Sequence, residues 1–171
     1  MGAGITRQRE RAGARGGKAT GKDPTNRGKL GTKRHLVVDR TGLPLAVTVS
    51  GANVHDSKLL EETVDAILPL RLHHRHRGRP RKRPTKLHAD KGYDYPRCRR
   101  ALRARNIIPR IARRRIESSE RLGRYRWVVE RTLSWLNRFR RLKVRYERRA
   151  DIHLALLTFG CALICWQALR Q

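Results

Sequence analysis

The chain of 171 residues carries 42 Lys and Arg against 14 Asp and Glu, a net charge of +28. That length suits one domain with a core, and a 38% apolar share with 14 glycines excludes wholesale disorder. Arginine makes up 33 of the 42 bases, and its planar fork grips phosphate, so the expected partner is nucleic acid rather than a small acidic substrate.

Residues 1–27 hold one large aliphatic side chain, Ile5, with no period of two or 3.6 and many Gly, Arg and Thr. They read as a basic flexible tail, and residues 28–171 as the ordered domain. Two β-rich runs, 35–38 and 45–49, flank Asp39-Arg-Thr-Gly42 and predict an antiparallel hairpin. Asn53 or Asp56 then caps a helix reaching about Ile67, with Leu59, Leu60, Val64 and Ile67 inward. Residues 69–84 form a Pro-bounded basic loop. A strand over 85–90, a helix over 95–105 and an edge strand over 107–111, broken by Pro109, follow. A polar loop leads to a helix over 125–142 and an apolar helix from Asp151.

Charge divides along this order: +7 over residues 1–33, −2 over 34–70 and +23 over 71–171. The phosphate-facing surface is therefore expected in the C-terminal hundred residues. Cys98, Cys161 and Cys165 are too scattered for a disulfide framework, and without a signal peptide they fit a reducing cytoplasm; Cys161 and Cys165, one helical turn apart, read as core residues. The apolar run 152–169 approaches the length of a membrane span. Thr158 and Gln167 inside it and charged flanks favour a helix packed on a sheet.

Two acids stand out. On the helix over 125–142, Arg126, Glu130, Ser134, Asn137 and Arg141 share one line, and Val128, Thr132, Trp135, Leu136, Phe139 and Leu142 cluster opposite. Glu130 is the only acid between Arg121 and Arg145. It is either an exposed partner of Arg126, worth about 0.2–0.5 kcal/mol, or a metal ligand. Asp90 ends a strand before a glycine turn, the place where α/β sheets put ligands. Asp94, adjacent to the next helix, is the better cap and leaves Asp90 free.

These residues carry a resemblance. D-K-G-Y-D at 90–94, R-W-V-V-E-R-T at 126–132 with S-W-L-N-R-F-R-R-L at 134–142 after Leu133, and S-G-A-N-V-H-D-S at 50–57 resemble bacterial insertion-sequence transposases of the DDE class, over residues 16 to 169. The resemblance implies an α/β, RNase H-like fold, a mixed sheet flanked by helices, with three acids holding two divalent ions, Mg²⁺ or Mn²⁺. It carries the second acid onto Asp90 and the third onto Glu130, with Arg126 matching the family's Arg-x-x-x-Glu. The family's Tyr upstream falls on Gly123 and its Lys after the Glu on Asn137, with Tyr125 and Arg138 nearby. Lys91, Arg126 and Arg138 are expected to neutralise phosphate.

The first acid should stand on a strand before the hairpin, in the region of Arg7, where Glu10 is the only acid before Asp23 and no β pattern surrounds either. The expectation is a partial catalytic domain, truncated or frameshifted, without its first strand and first catalytic Asp, and inactive alone. Its partners would be transposon ends and target DNA in the nucleoid, with a homo-oligomer or an upstream-frame polypeptide and no membrane.

The loop segment R-G-R-P-R at 77–81 contains an AT-hook core whose Arg77, Arg79 and Arg81 either enter a narrow minor groove or tether phosphates. His73, His74 and His76 lack partners for zinc. His55-Asp56 orders a helix start or supports the metals. The rival function is a non-enzymatic basic DNA- or RNA-binding protein.

Overall fold

A computed structural model describes residues 2–11, 17–69, 82–114 and 119–170, without the side chains of Arg7, Glu10, Arg11 and residues 119–126. Among them six strands form one mixed sheet. Strand β1 (Gly2–Arg11) lies at its centre, antiparallel to β3 (Leu30–Asp39) and parallel to β5 (Lys86–Ala89). The short β2 (Gly21–Lys22) and the longer β4 (Pro44–Gly51) pair with the outer side of β3. The edge strand β6 (Ile108–Ile111) runs parallel to β5. The α/β fold with a mixed sheet flanked by helices is thus what the chain adopts.

The expected tail at the N-terminus is corrected by this sheet: residues 2–11 form its central strand, so the first strand is present. The misreading has a physical origin. Among its described side chains only Ala3 and Ile5 enter the core, and the strand's other residues are Gly, Arg, Gln, Thr and Glu. Hydrogen bonds from two neighbours hold the strand, and these are contacts distant in sequence that no local period reveals.

Helices cover both faces, which is why β3 is buried without interruption from Gly31 to Val38. One face packs Ala3, Ile5, Val37 and Leu87 under α1 (Leu60–Asp65) and α2 (Pro96–Ala104), through Leu60, Val64, Cys98 and Leu102. The other packs Leu36 and Val38 under α3 (Ser119–Asn137), α4 (Arg140–Lys143) and α5 (Ala150–Leu169), through Val128, Val129, Leu136, Leu142 and Leu157. At Gly4 the strand meets α3 closely: an added Cβ would lie 2.9 Å from a Val129 methyl.

The hairpin stands as expected, its turn held by Asp39 Oδ1, which accepts from the amides of Thr41 and Leu43 at 2.8 and 2.9 Å. The helix expected over 125–142 is instead two. Phe139 is extended between α3 and α4, and this lets Phe139 and Leu142 both pack on α5 at Gly160. Cys161 lies in the core, where burial pushes its thiol up to about 12.

Behind α4, the buried Glu147 carboxylate accepts from Arg141 Nε at 2.9 Å and stands 3.5 Å from the His153 ring. Burial pushes its carboxyl up. Its own backbone N–H, the Arg141 guanidinium and His153 outweigh that and hold it below the usual glutamate range. A depressed carboxyl contributes its stability above about pH 4.5 and loses it as pH falls through the folded value. Glu147→Gln is therefore expected to lower stability by about 1 kcal/mol at pH 7. Urea midpoints of the two proteins should converge below pH 4.5; a constant gap down to pH 3 would refute the assignment.

Candidate active site

The site forms where β5 ends. Asp90 follows the strand's last residue, Ala89, and opens a 3-10 turn over Lys91–Tyr93, its Oδ1 accepting from the Gly92 amide at 2.8 Å. Asp90 is therefore itself a cap. Asp94 does not cap α2, whose first residue is Pro96 and whose cap residue, Tyr95, makes no side-chain capping bond. Asp94 instead takes the Arg114 amide at 3.0 Å and Arg99 Nη2 at 2.7 Å, and these two groups hold its carboxyl below the usual aspartate range.

A second carboxylate stands beside the turn. A Cβ added at Gly92 would crowd Asp90 Oδ1 at 2.9 Å and would meet Asp56 Oδ2 at 3.5 Å, an ordinary contact distance that places the second acid beside the turn. Asp56 is buried and paired with the buried Lys33, Nζ to Oδ1 3.1 Å; Lys33 also donates to the Val54 carbonyl at 2.6 Å. Neither Asn53 nor Asp56 caps the following helical segment. His55 does so, its Nδ1 accepting from the Ser57 amide at 3.3 Å.

A basic and aromatic cluster lies beyond the Asp90 turn. Arg114 lies over the Tyr95 ring, 4.7 Å from its centroid, and its Nε donates to the Lys91 carbonyl at 3.1 Å. Arg97 donates to Ser57 Oγ at 2.6 Å, and the His55 ring meets Tyr95 edge-on at 5.3 Å. Lys91 was legible from the motif. Arg97, Arg99, Arg114 and Tyr95 were not, because sheet order rather than sequence spacing gathers them from α2 and the segment after β6.

Glu130 lies on the exposed side of α3, as the helical periodicity predicts, while its neighbours Val128 and Val129 are buried. Its link to Asp90 runs through β1. Val129 packs on Gly4, and Gly4 pairs with His88, two residues before Asp90. Arg131, next to Glu130, is stacked between Trp127 and Trp135 at 4.6 and 4.8 Å. Asn137 accepts from the buried Arg34 at 2.5 Å, tying α3 to β3. Arg138 is exposed between α3 and α4. Arg77, Arg79 and Arg81 and the Arg126 side chain lie outside the described residues.

Ile5 pairs with Ala89, so Thr6 stands level with Asp90 on the adjoining strand. Thr6 shares the face of Gly4, the one α3 covers. The first of the three acids that the resemblance implies would belong on this strand, yet Thr6 stands at this level and the first acid in the chain is Glu10. No group of three His, Cys, Asp or Glu at metal-holding reach occurs among the described residues. Two acids, one of them capping a turn with one oxygen, do not fit a complete two-metal centre.

The model of the transposase DDE domain family matches residues 5–165. The chain is also 55% identical over 152 residues to the transposase ascribed to insertion sequence element IS402 of Burkholderia cepacia, covering 89% of this chain and 71% of that protein. Transposase DDE domains use divalent metal ions and act on DNA. The strand pairing, the acid at the end of β5, the acid on α3 and these two matches agree: the chain belongs to the transposase DDE domain family, among the insertion-sequence transposases that act in DNA transposition.

Proposed function

We propose that this chain binds transposon and target DNA as a transposase catalytic domain but performs no strand transfer by itself. The observation that carries the proposal is Thr6, which stands on the central strand level with Asp90 where a carboxylate would complete the site. Asp90 and Glu130 are the remaining acids for a divalent ion, Mg²⁺ or Mn²⁺, and two carboxylates hold it weakly. The phosphate backbone is met by the cluster beyond the Asp90 turn, with Lys91, Arg126, Arg138 and the basic segment containing Arg77, Arg79 and Arg81. The setting is the bacterial cytoplasm, at the nucleoid.

Binding of Mn²⁺ by titration calorimetry, with DNA cleavage followed on the same samples, tests this reading. Weak binding is expected, with a drop of tenfold or more in Asp90→Asn and in Glu130→Gln, and no strand transfer by any form. Thr6→Asp is expected to tighten Mn²⁺ binding at least tenfold. Mg²⁺-dependent strand transfer by the native 171 residues would overturn the proposal. Metal binding unchanged in both acid variants would favour a purely DNA-binding protein. DNA affinity should fall roughly 10³–10⁵-fold between 50 and 200 mM salt under either reading, for six to ten phosphate contacts.

A further inference from the structure

Helix α5 is apolar on two opposite faces. One buries His153, Leu157, Gly160, Cys161 and Ile164 against the sheet and its neighbouring helices. The other carries Ile152, Ala155, Phe159, Ala162, Trp166 and Leu169, spaced alternately three and four residues apart, which is the seam of a helix pair. This second face is open. Ile152, Phe159, Trp166 and Leu169 are 44, 63, 61 and 82% exposed, and both alanines are exposed. In a chain of net charge +28, residues 150–169 contain no Lys or Arg, so this is a surface on which two such chains can meet without like charges in contact.

We propose that α5 pairs with α5 of a second copy, antiparallel, about a two-fold axis passing between Phe159 and Ala162. Side-chain size selects this direction. Antiparallel register sets Phe159 against Ala162 of the other copy, Ala155 against Trp166, and Ile152 against Leu169, so each aromatic ring meets a methyl group. A parallel pair would set Phe159 on Phe159 and Trp166 on Trp166, overpacked, and alanine on alanine, empty. The helix ends agree with the choice. The Arg149–Asp151 ion pair at the N-terminal end of one helix lies near Arg170 at the C-terminal end of the other, so Arg170 meets an already neutralised pair, and the two helix dipoles oppose.

The area is sufficient for a weak dimer. The exposed portions of these six side chains amount to about 500 Å² per copy, so a pair buries on the order of 1,000 Å², the low end for specific interfaces. Half-association at roughly 10 μM chain is expected for such an interface. Repulsion between the basic bodies opposes pairing, and salt screens it, so the dimer should strengthen as salt rises. Association bridged by nucleic acid does the reverse.

Sedimentation equilibrium of nuclease-treated protein at 0.5 M salt tests the proposal. The native chain should shift from its 19.8 kDa monomer to a dimer as concentration passes tens of micromolar. Phe159→Glu should abolish the shift. Ala162→Phe should weaken it tenfold or more by forcing ring on ring, and combining it with Phe159→Ala should restore it, because the layer is only exchanged. Both positions are exposed in the single copy, so circular dichroism should report unchanged folding. A native chain that stays monomeric at 200 μM overturns the proposal, as does failure of the exchanged pair to recover. Sedimentation with neutral lipid vesicles at 0.5 M salt, lost in Phe159→Glu, would assign the face to a membrane instead and equally overturn it.

Discussion

Replacing Lys33 by methionine is expected to lower the unfolding free energy by about 3–5 kcal/mol. Lys33 and Asp56 have side chains only 5 and 1% exposed, with Nζ 3.1 Å from Oδ1. Each charge lost its water when the fold closed, and the other charge replaces part of that water. Removing the ammonium leaves the carboxylate buried without this cation, and the cost is the full desolvation of the remaining ion rather than the modest net value of the pair. Lys33 also donates to the Val54 carbonyl at 2.6 Å, so the same substitution releases the segment leading to His55. Because Asp56 Oδ2 lies against Gly92, the turn that holds Asp90 should loosen as well. Urea unfolding gives the magnitude, and hydrogen exchange at the Gly92 amide reports the turn. The double variant Lys33→Met, Asp56→Leu should cost clearly less than the two single losses added. Additive costs would show that the two groups do not stabilise one another.

This buried pair marks the limit of what the residues reveal in linear order. The hairpin was legible because Asp39 and Gly42 are local turn residues between β-branched runs. The exposure of Glu130 was legible because 3.6-residue periodicity fixes a helix face. Asp90 at a strand end was legible from a short apolar run followed by Lys-Gly. What failed depends on pairing across distance. Strand β1 has two core residues among its described side chains, Ala3 and Ile5, and is a strand because β3 and β5 flank it. Asp56 looked like a cap because it precedes a helix, whereas Lys33, a residue on β3, draws it into the interior. The arginines beyond the Asp90 turn needed sheet order: Arg97 and Arg99 arrive on α2 and Arg114 after β6. Residues 1–9 contain no Asp or Glu, which could be read directly, while the strand they belong to could not.

Arg145→Ala is expected to cost about 3–5 kcal/mol, enough to unfold a domain of ordinary stability in part at 37 °C. Arg145 is 1% exposed. Its guanidinium donates to Thr32 Oγ1 at 2.7 Å and to the carbonyls of Lys18 at 2.7 Å, Ala19 at 3.1 Å, Glu147 at 2.9 Å and Arg148 at 3.3 Å. These acceptors come from three separate stretches: the segment before β2, strand β3 and the connection from α4 to α5. One planar fork thereby joins a segment near the start of the chain to the helices that cover the second face. Truncation removes the donors and leaves the buried Thr32 hydroxyl and four part-buried carbonyls without this partner, at about 1–3 kcal/mol for each that water cannot reach. Lysine has a single ammonium in place of five N–H groups fixed in a plane, so Arg145→Lys should recover less than half of the loss. Hydrogen exchange separates this role from general packing. Protection should fall first at Thr20 and Thr32 in the Lys variant while α2 stays protected; a uniform loss across α2 and β3 would mean that Arg145 acts only as bulk in the core.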